Sequence, residues 1–80
     1  MIRPRILIVE DERTALRALK LILEDEGYAV LEAACGEDGL RIALEERPDL
    51  ILLDIRLPDV DGITVLQRLR TAGSHAAVII

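Results

Sequence analysis

Phenylalanine and tryptophan are absent from this 80-residue chain, and Tyr28 is its single aromatic residue. That excludes stacking platforms for bases and aromatic cages for cationic ligands. Cysteine is almost absent too: Cys35 stands alone, cannot close an internal disulfide and fits a cytoplasmic protein. Basic residues are in deficit, with 10 Lys and Arg against 15 Asp and Glu, a formal net charge of -5. Such a field repels polyanions, so neither nucleic acid nor an anionic membrane surface is expected as a partner. No apolar run approaches the ~20 residues that span a bilayer. The opening residues lack the cleavage pattern of a signal peptide. Phosphate-cradling loops of the form G-x-G-x-x-G or G-x-x-x-x-G-K-[ST] do not occur. What is present is 51% apolar and 31% charged residues, the balance of one small folded domain.

Four short apolar runs punctuate the chain: residues 6–9, 28–31, 50–53 and 77–80. The first, third and fourth are continuous rather than alternating, as in strands of a parallel sheet buried on both faces. The second gives way to Glu32 and fits an edge strand. Three stretches of helical periodicity lie between them. In the first, Ala15, Leu16, Leu19, Ile22 and Leu23 share a face predicted to point inward, while Arg13, Arg17, Lys20 and Glu24 lie opposite. Leu21 points off that stripe, and Gly27 supplies the stop. In the second, Leu40, Ala43 and Leu44 form the stripe, and Arg47-Pro48 ends it. The third begins after Asp61, a good N-cap, and carries Leu66 and Leu69 inward before Gly73. The resulting β-α-β-α-β-α-β pattern predicts an open α/β sheet of parallel strands.

Ligands of such sheets bind beyond the carboxyl ends of the strands. Glu10, Asp11 and Glu12 follow the first strand, and Asp54 ends the third. If those strands are neighbours, Glu10, Asp11 and Asp54 meet in one crevice. Crowded carboxylates repel one another, and a hard divalent cation relieves them. Few protein oxygens plus waters suit magnesium better than calcium. A carboxylate held at the end of a buried strand is also suited to attack phosphorus and form an acyl phosphate, chemistry that rests on positioning and charge neutralisation.

Three motifs, Ile-Leu-Ile-Val-Glu-Asp-Glu (6–12), Asp-Leu-Ile-Leu-Leu-Asp (49–54) and Leu-Pro-Asp-Val-Asp-Gly (57–62), together resemble the receiver domain of two-component response regulators. The resemblance runs in order and spacing along the whole chain. It implies a flavodoxin-like sheet with strand order 2-1-3-4 for the part present. It implies Asp54 as the acceptor of a phosphoryl group from a sensor histidine kinase. Mg2+ would be held by Asp11 directly, by Glu10 largely through water, by Asp54 and by the backbone carbonyl of Arg56. Pro58 and Asp61-Gly62 would shape the loop over the site. A complete receiver has a further strand and two further helices, with a Ser or Thr and a Lys that contact the phosphoryl group. Lys20, the single lysine, lies on the first helix and substitutes poorly. Residues 1–80 are therefore expected to form a single truncated receiver domain with impaired switching and no turnover activity.

Other residues receive plainer readings. Glu12 belongs to an acidic helix start, Asp59 and Asp61 are turn and cap residues, His75 is solvent-exposed and Cys35 is packed. A phosphohydrolase of the haloacid dehalogenase type needs a second Asp two residues after its nucleophile, where Arg56 stands. The competing expectation is a self-associating module, a homodimer or higher oligomer formed through the exposed edge of the last strand and uncovered apolar sheet faces.

Overall fold

Residues 6–9 are each at most 4% exposed, which is what the first continuous apolar run requires of a central strand. The computed structural model describes residues 3–80. Its elements are β1 (Arg5–Val9), α1 (Arg13–Asp25), β2 (Ala29–Ala33), α2 (Gly36–Glu46), β3 (Leu50–Leu53), α3 (Gly62–Thr71) and β4 (Ala77–Ile79). All pairings are parallel and the order is β2-β1-β3-β4, as the resemblance implies. The second strand runs further than predicted, through Glu32, because an edge strand tolerates a charge. Glu32 pairs with Lys20 of α1 at 3.1 Å.

Right-handed crossovers decide which face each helix covers. The step from β1 to β2 goes one way along the sheet, while β2 to β3 and β3 to β4 go the other. α1 thus lies alone on one face, and α2 and α3 pack together on the opposite one. The α2/α3 face is sealed around Leu7, Val9, Ile51, Leu53, Val65 and Leu69. Val65, 1% exposed, is a core residue that the predicted α3 stripe omits, and Leu66 is only partly buried. α2 reaches β1 closely at Gly39, where a β-carbon would stand 2.8 Å from both methyls of Val9. Leu44 of the predicted α2 stripe is 40% exposed.

The opposite face corrects the reading of α1. That helix contains no fully buried residue, and Leu19 and Ile22, expected to face inward, are exposed along with Leu21. One helix covers only the β1–β2 half of this face. Among the described residues no second helix lies beside it on this face, and Leu19 borders a shallow groove with Leu52, Ile79 and Ile80.

At the amino end of the sheet, Arg5 joins three segments. Its N–H donates to Asp49 Oδ2 at 2.7 Å and its carbonyl accepts from Asp49 N at 2.9 Å. Its guanidinium bonds the Glu46 and Arg47 carbonyls and lies 3.4 Å from the Glu46 carboxylate. Carbonyls left over at the end of α2 thereby gain a cationic partner. Arg47, at φ 49, turns the chain out of α2 ahead of Pro48.

Candidate metal centre

Glu10 and Asp54 are the first residues past two adjacent strands, and backbone bonds hold both in place. Glu10 N donates to Ala33 O at 3.0 Å, and Asp54 N donates to Val9 O at 3.1 Å. Asp11 follows in the turn before α1. One carboxylate oxygen from each of Glu10, Asp11 and Asp54 lies within 4.8 Å of the others, so the predicted trio converges. Asp54 and Glu10 are half-buried, and Asp11 is exposed. Glu10 Oε1 accepts from Glu12 N at 3.2 Å, and Asp54 Oδ1 accepts from Arg56 N at 3.0 Å. Burial raises the Glu10 carboxyl above its ordinary range; contact with Asp54 and the charges of Asp54 and Asp11 push the same way, against the Glu12 N–H.

The donor set fits a small hard cation. It is all oxygen, contains no sulfur or imidazole, and stays open on the Asp11 side, leaving room for water. Among the described residues, no lysine or arginine forms an ion pair with the three carboxylates. Glu12 stays outside the cluster. Its Oε1 and Oε2 accept from Thr14 N at 3.0 Å and Ala15 N at 2.9 Å, capping α1 and lowering its own carboxyl pKa. Cys35 is half-buried, and His75 is exposed.

The loop from Asp54 to α3 is closed at its far end by two local contacts. Gly62 N donates to Ile55 O at 2.9 Å, and Asp61 Oδ1 caps α3 through Thr64 N at 2.8 Å, as the sequence predicts. Asp59 does something the sequence does not reveal. Its two carboxylate oxygens accept from Gly36 N at 2.7 Å and Glu37 N at 2.8 Å, so a loop residue caps α2. Cys35, at the N-cap position, makes no side-chain cap bond. The backbone donor of Glu37, helped by that of Gly36, outweighs the opposing effect of burial and holds the Asp59 carboxyl down at about 2.

Residues 6–80 match the response regulator receiver domain family. The chain belongs to that family. The receiver is 48% identical over 67 residues to transcriptional regulatory protein AfsQ1 of Streptomyces coelicolor, covering 84% of this chain and 30% of that protein. It is 40% identical over 80 residues to sporulation initiation phosphotransferase F of Bacillus subtilis, covering 100% of this chain and 64% of that one. It spans less than two-thirds of both. Among solved structures, response regulator protein TrrA of Thermotoga maritima, in complex with Mg(2+)-BeF, superposes with a TM-score of 0.91 at 35% identity, over 96% of the receiver and 67% of TrrA. The Francisella response regulator 1452 receiver domain gives 0.94 at 28%, over 98% and 64%. No helix among the described residues is long and apolar enough to cross a membrane.

Proposed function

We propose that this receiver takes a phosphoryl group onto Asp54 from a phosphohistidine of a sensor histidine kinase, with Mg2+ bound by Asp11, Glu10, Asp54 and the Arg56 backbone carbonyl. The observation that carries this reading is the convergence of Glu10, Asp11 and Asp54 at adjacent strand ends. Membership of the family and the Mg(2+)-BeF complex of TrrA support it. Bound magnesium would supply positive charge to offset the phosphoryl oxygens. A carboxylate oxygen of Asp54 attacks phosphorus, the P–N bond breaks, and the imidazole nitrogen leaves with the electron pair. Asp54 is suited to this because β3 and the Arg56 N–H fix its carboxylate while leaving it accessible. Each transfer consumes the acceptor, so the domain is a signalling relay rather than a turnover enzyme. Lys20 of α1 is paired with Glu32 of β2 and is not positioned as a phosphoryl partner. Incubation with acetyl phosphate and Mg2+ should give a phospho-adduct in the wild type and none in Asp54→Asn by intact mass. An equal adduct in both would overturn the assignment.

A second reading, self-association, is favoured by one observation: Ile79 and Ile80, at the free edge of the sheet, are 57% and 51% exposed. Two copies pairing β4 edges would cover this apolar surface. Size-exclusion with light scattering should then show a dimer or larger species, and a monomer at high concentration would refute it.

A further inference from the structure

We infer that Asp59 is a positioning residue for the metal centre, locking the middle of the Asp54 loop to the first turn of α2. This role rests on the reading of Asp54 as part of a metal-binding, phosphoryl-accepting site. The loop leaves β3 at Asp54 and re-enters regular structure at Gly62, with polar anchors at either end: the Arg56 N–H on Asp54 and the Asp61 cap on Thr64. Between them, Leu57 and Val60 contribute apolar packing, Val60 lying close against Gly36 of α2, while Pro58 is exposed. The directional bonds from mid-loop to the rest of the molecule are the pair from Asp59 to Gly36 N and Glu37 N. Glu37 is in turn bonded to Arg68 of α3 at 2.9 Å. The connection therefore runs from loop to α2, from α2 to α3, and from α3 back to the loop through its Asp61 cap. A carboxylate accepting two N–H groups at a helix start fixes both distance and direction. Removing it leaves the middle of the loop, between the Arg56 and Asp61 anchors, held by the packing of two apolar side chains.

The helix start is served by the same bonds, so stability alone cannot establish the role. The deciding readout is Mg2+ affinity, followed through backbone amide shifts in titrations with Mg2+ alone, well below the melting temperature. Asp59→Ala should bind Mg2+ about tenfold more weakly, the scale of losing a group that orients a ligand. Asp59→Asn, which keeps one acceptor oxygen, should fall between that variant and the wild type, and supplies the test if Asp59→Ala does not fold. Ala43→Gly weakens α2 from within while leaving the Asp59 bonds in place. It should lower the melting temperature yet retain wild-type affinity. Wild-type affinity in the Asp59 variants, or equal weakening by Ala43→Gly, would overturn the positioning role alone. Absence of any Mg2+ response in the wild type would overturn the reading of the site, and the positioning role with it.

Discussion

Gly62 sits against the carbonyl of Asp54 with no room for a β-carbon between them. A Cβ at position 62 would also come within 2.9 Å of the Ile55 Cα. These are backbone atoms and cannot rotate aside, so the residue that starts α3 is fixed by the residue that follows β3. Gly62→Ala should lower stability by about 1–3 kcal/mol, the scale of overpacking, and should also weaken Mg2+ binding because Asp54 must shift. Urea denaturation with and without Mg2+ checks both effects; an unchanged midpoint would mean the loop yields freely.

Leu69 is fully buried, whereas its neighbour Leu66 is only partly so. Truncating Leu69 to Ala leaves a cavity beneath α3 and should cost about 2–5 kcal/mol. Leu66→Ala should cost clearly less. Chemical denaturation of the two variants ranks them, and the reverse order would contradict the packing described for α3.

The Asp59 carboxyl has a folded value of about 2 against an ordinary 3.8. A depressed pKa contributes stability that is fully present above the ordinary value and is lost as pH falls through the folded one. Between pH 3.8 and about 2, the melting temperature of the wild type should therefore fall faster than that of Asp59→Asn. The two curves should converge at the acid end, with the wild type the higher near neutrality. Parallel curves through this window would show that the two N–H bonds contribute nothing to folding.

Removing one charge from the acidic trio should separate repulsion from binding. Without metal, Asp54→Asn is expected to melt at least as high as the wild type, because it relieves like-charge crowding of Glu10 and Asp11. With Mg2+ in 100-fold excess over its dissociation constant, the wild type should gain about 2.7 kcal/mol, and the variant much less. Thermal scans at several Mg2+ concentrations decide this. Equal gains would place the ion elsewhere.

The central strands and the acidic trio could be read from the amino-acid order because each follows from local pattern. Residues 6–9 are continuous apolar text since helices cover both faces of that strand, and Glu10 and Asp54 mark where two such runs stop. Asp61 was legible as a cap because capping of α3 spans three residues. The part played by Asp59 was not, since its partners lie 22 and 23 residues earlier and meet it only once α2 docks beside the loop. The outward turn of Leu19 and Ile22 was hidden for a related reason. Periodicity reports which residues share a helix face, but not whether anything lies opposite that face.

The Arg5 junction has a practical corollary. It joins β1, β3 and the tail of α2 at the rim farthest from Glu10 and Asp54, so the framework does not depend on the acidic residues for its cohesion. A chemist could exchange the side chains at positions 10, 11 and 54, towards imidazole or amide, and expect the scaffold beneath to stay the same.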